Sequence, residues 1–315
     1  MAIINIEDVA HVRFQAPDLR RMEAFLADFG LVPVRSRSSG DALVMRGCGP
    51  APCVHITERG PAKFVGLGLR ASSLEDLAKL AAAEGVRVED LNLPGAGQYI
   101  QLVDPNGFVV EVVAGQTSRS GEGEDFDVEA QRRWNSAVRR ERTRVVKRIV
   151  PGPSSVVRLG HVVLVVNDLA QTWSWWRERF GLIVSDEVHD PAGRPIALFI
   201  RCDRGAAPTD HHTLNFAVLP GQEARFHHAA FEVRDLDDLM SGHDHLRRQG
   251  HRHDWGIGRH VLGSQVFDYW RDPWGHRVEH WTDGDLLARE DAPRIADVAT
   301  MLGHQWGPAA PEDFV

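Results

Sequence analysis

Twice along its 315 residues the chain spells out one pattern, and a repeat of this length implies repeated structural units. The segment AHVRFQAPDLRRMEAFLADFGLVPV (residues 10–34) aligns without a gap on GHVVLVVNDLAQTWSWWRERFGLIV (160–184). Each reads as a short β-rich run, an Asp-Leu turn, an amphipathic stretch of helical length and Phe-Gly-Leu. Further along, FVGLGLRASSLEDLAKLAAAEGVRVED parallels FHHAAFEVRDLDDLMSGHDHLRRQGHRHD, with Ser or Asp before the helix as N-cap and Gly after it as stop signal. DPNGFVVEVV (104–113) then matches DPWGHRVEHW (272–281), each Asp-Pro-x-Gly tetrad reading as a turn between two strands. The strand–helix–strands pattern thus occurs twice in each half, giving four modules. The expected division is a first half over 1–115, a linker over 116–155, a second half over 156–290 and a tail over 291–315 packed on the second half. The linker opens polar and Gly/Ser-rich; its basic stretch 129–150 could hold a short helix and reads either as a solvated face or as an oligomer contact.

Composition excludes several classes of function. With 43% apolar residues and a net charge of −8, the chain can bury a core and is not disordered. No apolar run approaches the ~20 residues of a membrane span. No long basic stripe marks a nucleic-acid surface. The opening residues lack a basic region followed by a long apolar stretch, and the three cysteines include no CxxC, so a reduced, cytoplasmic setting is expected. Histidine is unevenly placed: 14 of 16 lie between His161 and His304. Because imidazole is the commonest metal ligand and the usual acid–base group near neutral pH, chemistry is expected in the second half.

Placed on predicted strands, His161 opens one run, His228 lies early in another, and Glu279 sits on the last. Strict alternation turns His227 away from His228 and His280 away from Glu279. Two imidazoles and one carboxylate from three strands can occupy one face of a metal and leave other positions open, as a non-haem Fe(II) centre requires. They can equally be three unrelated polar residues on half-exposed strands, and spacing alone does not choose.

The repeated βαβββ modules and the run Gly160-His161-Val162-Val163-Leu164 resemble the vicinal oxygen chelate superfamily. Within it the chain is similar to the two-domain extradiol (meta-cleaving) catechol dioxygenases. Their C-terminal signature reads here as Gly258-Arg259-His260, then Val261 to Phe267, Asp268, Tyr269, the turn Asp272-Pro273-Trp274-Gly275, and Glu279. The departure is Asp268, where the family carries an apolar side chain; alternation places it on the face opposite Tyr269.

The resemblance implies an α+β fold of two vicinal oxygen chelate domains, each of two βαβββ modules forming an incomplete barrel around a cavity. It implies metal ligands His161, His228 and Glu279, an acid–base histidine at His212, and His260 and Tyr269 as partners of substrate and oxygen. Fe(II) is the expected metal, with Mn(II) as the alternative. The implied reaction inserts both atoms of O₂ into a catecholic aromatic beside its hydroxyls. Nothing resembles a carboxylate clamp, so a neutral mono- or bicyclic catechol, trihydroxytoluene- or dihydroxybiphenyl-like, is expected. Trp255, Trp270, Trp274 and Trp281 surround the signature and are candidates either for the pocket wall or for the core. His227, His243, His245, His251, His253, His276 and His280 are read as surface or structural. The first half keeps His11 and Glu111 but has Gly66 at the place of His228, so it is expected to bind no metal; His55 is assigned no role. Partners are a small catecholic substrate and O₂, with no nucleic acid, no membrane and self-assembly as a homo-oligomer. Two other readings compete: a metal-dependent glyoxalase-like lyase or isomerase, and a non-catalytic protein that binds an aromatic ligand.

Overall fold

The computed structural model describes residues 2–35, 40–119 and 133–314. The first half supplies strands β1 (Ile6–Ala16), β2 (Val32–Pro33), β3 (Ala42–Arg46), β4 (His55–Arg59), β5 (Lys63–Ala71), β6 (Glu89–Asp90), β7 (Gln98–Val103) and β8 (Val109–Ala114). Its helices are α1 (Leu19–Asp28) and α2 (Leu74–Glu84). The second half supplies β9 (Val156–Val165), β10 (Leu182–His189), β11 (Pro195–Cys202), β12 (Thr209–Asp210), β13 (Leu214–Ala217) and β14 (Arg225–Val233). It continues with β15 (Arg252–His260), β16 (Val266–Arg271), β17 (Arg277–Thr282), β18 (Leu286–Leu287), β19 (Arg294–Asp297) and β20 (His304–Trp306). Helices α3 (Leu169–Phe180), α4 (Leu236–Arg248) and the single turn α5 (Val298–Met301) complete it.

The repeat is visible in the strand order. The first sheet runs β2-β3-β4-β1-β5-β8-β7-β6, and the second contains the equivalent series β10-β11-β13-β9-β14-β17-β16-β15. Neither sheet closes into a barrel; each curls about a cavity. The tail gives the second sheet an edge strand at each end, β19 beside β10 and β20 beside β15, with α5 between them.

Local chemistry accounts for these elements. Asp18, Ser73, Asp168 and Asp235 each accept a backbone N–H from the first turn of their helix. Gly85 and Gly181 end α2 and α3 at positive φ, where a Cβ is costly. In both Asp-Pro-x-Gly turns the aspartate accepts two backbone N–H groups, Asp104 from Asn106 and Phe108, Asp272 from Trp274 and His276. One apolar core runs through both halves. Phe14 packs edge-on against Phe226 at 5.2 Å, and Phe29 against Phe231 at 5.7 Å. The fully buried rings among them, Phe14, Phe29 and Phe231, each contribute about 1.5–3 kcal/mol.

Several second-half histidines help to join the halves. His245 and His251 bond Asp28 at 3.0 and 2.8 Å, and His280 donates from Nε2 to the Phe29 carbonyl at 2.7 Å. These residues are structural, as expected, but lie at a seam rather than on an open surface. The expected short helix in the basic linker is not formed by residues 133–150, which make one isolated bridge, Asn135 to Arg140; residues 129–132 lie outside the described residues. Helical spacing would set Arg140, Arg144 and Arg148 one above another, and like charges at that spacing repel.

Candidate functional site

Three adjacent strands, β9, β14 and β17, build the floor of the second cavity. Ala230 on β14 faces His161 of β9 on one side and Glu279 of β17 on the other, and His228 lies two residues before Ala230. The three polar side chains therefore converge over one small methyl group. Glu279 Oε2 is 3.3 Å from His161 Nε2 and 3.3 Å from His228 Nε2. All three residues are buried, and His228 Nε2 and both Glu279 oxygens have no hydrogen-bond partner. A carboxylate stripped of water and left unpaired costs several kcal/mol. A divalent cation removes that cost, and two neutral imidazoles with one carboxylate suit Fe(II) or Mn(II). Burial, then the neighbouring His227, His161 and Arg277, hold the His228 pKa well below its ordinary value, so its ring is neutral near pH 7.

His212 stands beside this triad, its ring centroid 4.1 Å from that of His161. Its Nδ1 lies 3.1 Å from Nδ1 of His211, whose Nε2 lies 2.8 Å from Asp186 on β10. The Asp186 carboxylate accepts the His211 Nε2 proton, so His211 Nδ1 accepts from His212 Nδ1–H. His212 Nε2 is thereby left with a free lone pair, the arrangement in which a third group orients a base. Burial first, then His161, His211 and His260, keep His212 neutral by pushing its pKa well down. His260 Nε2 and the Tyr269 hydroxyl are 2.9 Å apart. Burial lowers the His260 pKa to about 3, while burial and the Glu279 charge push Tyr269 well above its usual value and keep its proton in place.

The cavity offers about 680 Å³ of empty space, part of it open to solvent. His161, His212, His228, His260 and Tyr269 all line it, together with Phe199, Leu219, Leu262, Met301, Leu302 and Phe314. None of its described lining residues is Lys, Arg, Asp or Glu. The four tryptophans do not form its wall: Trp255 stacks behind Tyr269 at 5.5 Å, and Trp281 lies 6.0 Å from His161. Part of the wall comes instead from the tail, through Met301, Leu302 and Phe314.

His227 corrects the expectation drawn from alternation. A β-bulge between Phe226 and His228 makes His227 the extra residue, so both histidines reach the cavity side. Asp186, His211 and His227 were all absent from the expected site. The signal that could have found two of them is the pair of doublets, His211-His212 and His227-His228.

Asp268 lies opposite Tyr269, as alternation requires. Its carboxylate accepts from His253 at 2.8 Å, from His243 at 3.1 Å and from the Trp270 indole at 2.6 Å. These groups could also be drawn around a metal, but unlike the triad they already satisfy one another.

The Glyoxalase/Bleomycin resistance protein/Dioxygenase superfamily model matches residues 158–280. The chain carries a domain of this superfamily. Metapyrocatechase 2 of Cupriavidus necator is 28% identical over 98% of this chain and 92% of its own length. In structure, homoprotocatechuate 2,3-dioxygenase from Brevibacterium fuscum aligns with a TM-score of 0.79 at 20% identity, covering 99% of this chain and 92% of that one. The Mn(II)-bound glyoxalase from Novosphingobium aromaticivorans aligns with a TM-score of 0.76 at 21% identity, covering 98% and 94%. The same fold therefore accompanies two chemistries, and the site must decide between them.

Proposed function

We propose that this chain is an extradiol dioxygenase that opens a catecholic ring beside its two hydroxyls, with both atoms of O₂ entering the product. The observation that carries the reading is an unpaired, buried His161–His228–Glu279 set next to an oriented His212 in a cavity without charged walls. In this reading residues 156–290 are the catalytic half, 1–115 a half without metal, 116–155 a linker and 291–315 a tail that completes the cavity wall. The bound Fe(II) or Mn(II) would lower the hydroxyl pKa of the substrate and carry electron density from the ring to O₂.

The chain's own residues supply the rest. His212 Nε2 takes a proton from the substrate and later returns it, as a general base and acid. The Tyr269 hydroxyl and His260 Nε2 hydrogen-bond oxygen atoms of the substrate and hold its orientation. Phe199, Leu219, Leu262, Met301 and Leu302 seat the ring and exclude water. A wall without guanidinium or ammonium groups supports a neutral mono- or bicyclic catechol, of the trihydroxytoluene or dihydroxybiphenyl kind, over a catecholic acid. The buried thiols of Cys53 and Cys202 suit a reducing, cytoplasmic setting, and the exposed Trp134, Val138 and Val150 of the linker support self-association.

A glyoxalase-like lyase would share the fold, but a single carboxylate at the centre and the His212–His260–Tyr269 set favour oxygen chemistry. A purely binding protein would have no use for an unpaired buried carboxylate. The deciding experiment loads the protein with Fe(II) anaerobically, adds a panel of methyl-, phenyl- and carboxy-catechols, and admits air. Stoichiometric O₂ uptake with a yellow ring-opened product is expected for the neutral catechols. No uptake with any catechol, under conditions where iron is bound, would contradict the proposal.

A further inference from the structure

We propose that His227 is a positioning residue for His228, and that the main-chain carbonyl of Phe314 fixes the tautomer through which it acts; this rests on reading His228 as a metal ligand. The bulge on β14 brings the two Nδ1 atoms to 2.7 Å, a separation that holds one proton between them. That proton can sit on either ring. If it belongs to His228, then His228 Nε2 is bare and presents a lone pair beside Glu279. If it belongs to His227, then neutral His228 carries its proton on Nε2 and has no lone pair to offer there.

The choice is made at the far side of His227. Its Nε2 lies 2.8 Å from the carbonyl oxygen of Phe314. Two lone-pair carriers do not rest at that distance without a proton between them, so His227 Nε2 is the donor and His227 Nδ1 the acceptor. The proton on the shared Nδ1 contact then belongs to His228. Arg277 helps to hold that carbonyl in place: its Nη1 donates to the Phe314 oxygen at 2.8 Å, and its Nε is held by Asp254 at 2.5 Å. Arg277 Nη1 also lies 3.0 Å from His227 Nε2, a contact that on its own favours a bare Nε2; the shorter 2.8 Å approach to the Phe314 carbonyl, which a bare nitrogen does not make, outweighs it. The carbonyl is fixed by its own side chain. The Phe314 ring, 6% exposed, packs edge-on against His227 at 5.2 Å and Tyr269 at 5.1 Å, and lies under the Arg277 guanidinium at 4.1 Å.

The first half supplies the contrast. It has the same bulge, with Val65 as the extra residue between Phe64 and Gly66. Where position 228 is replaced by glycine, the place of His227 is taken by a side chain that can accept no proton. The relay is present only in the half that has an imidazole to orient.

The test compares variants of the full chain. Metal-free protein is titrated with Fe(II) anaerobically against a competing chelator, and with Co(II) read by its visible spectrum. His227→Phe keeps a ring but removes the acceptor, and is expected to weaken metal binding about 10- to 100-fold. His227→Gln can accept from His228 and donate to Phe314, and should restore affinity to within a few-fold of the wild type. His228→Ala serves as the reference and should abolish tight binding. If His228→Ala loses the metal while His227→Phe binds as the wild type does, the positioning role is overturned and the ligand reading survives. If His228→Ala keeps the metal, the ligand reading falls and the positioning role with it. A measurement that needs no variant is ¹⁵N NMR of the Zn(II)-loaded, histidine-labelled protein. The Nε2–H form of His227 is expected; the Nδ1–H form would overturn the proposal.

Discussion

The two halves share one strand order and one register, yet among the described residues only the second leaves its central carboxylate without a hydrogen-bond partner. In the second half His161 and Glu279 face each other across Ala230 and stand 3.3 Å apart. In the first half His11 and Glu111 face each other across Gly68 and bond directly at 2.7 Å. A methyl group at position 68 would stand 2.3 Å from the His11 ring, so glycine is what lets that ring lie over the strand. Register also pairs Arg13 with Gly66 where the second half pairs Val163 with His228. Arg13 Nη2 bonds Glu111 at 3.1 Å and Nη1 bonds Glu58 at 2.8 Å. A guanidinium thus does in one half what a metal ion would do in the other: it neutralises the buried carboxylate. The same registers put Cys53 where His212 stands and Gln101 where Tyr269 stands. Burial raises the Cys53 thiol to about 12, so it offers neither base nor nucleophile. One scaffold is closed by an ion pair; in its copy no guanidinium meets the carboxylate, and the proposed metal site rests on that difference.

The comparison breaks first at the triad. His228→Ala or Glu279→Gln should remove tight iron binding and reduce turnover to background while the chain stays folded. Iron content at the wild-type level by metal analysis would refute this. Next in size is His212→Phe, expected to keep the metal and lower kcat by about 10²–10⁴-fold, the usual worth of a placed acid–base group. Steady-state rates at saturating O₂ decide it. Asp186→Asn, which loosens the orientation of His211, should lower kcat by a smaller factor in the same assay.

The first half should respond in stability rather than activity. Glu111→Gln leaves Arg13 short of a buried partner and is expected to cost about 3 kcal/mol in denaturant unfolding, with kcat and iron content unchanged. The pH dependence sharpens the same point. Burial opposes ionisation of Glu111, but its hydrogen bond to His11 and the charges of His11 and Arg13 prevail and lower its pKa to about 2. Its folded pKa is below its unfolded value near 4.5, so its contribution is complete above pH ~4.5 and is lost as pH falls towards 2. Burial also lowers His55 to about 3 from 6.5. The unfolded chain therefore takes up that proton first, and stability falls as pH drops from 6.5 towards 3. Wild type and Glu111→Gln should both lose stability between pH 6.5 and 4.5, and the wild type should show an additional loss below 4.5.

Much of this was readable in the sequence for a definite reason. The gapless repeat, the N-cap aspartates and the stop glycines are local signals, and the structure has the four helices where they imply them. Alternation also placed Asp268 opposite Tyr269 correctly, because β16 pairs with β17 without a break. It failed at His227, because a bulge shifts the face of every residue beyond it and leaves no mark in composition. Cys53 escaped notice as the counterpart of His212 because no sequence motif ties the two segments together, and only the pairing of Val12 with His55 and of Val162 with Leu214 fixes the register. The four Trp residues, open to either reading as pocket wall or as core, do not line the pocket. The wall segment that replaces them arrives from the tail, a contact across distant sequence that no local pattern announces.

The central claim is an asymmetry, and counting metal ions tests it most directly. The protein is loaded with Fe(II) under anaerobic conditions, freed of loosely held ion, and its iron measured per chain for the wild type, Glu279→Gln and Glu111→Gln. The account predicts one, none and one. Two irons in the wild type, or retention of iron in Glu279→Gln with its loss in Glu111→Gln, would contradict it.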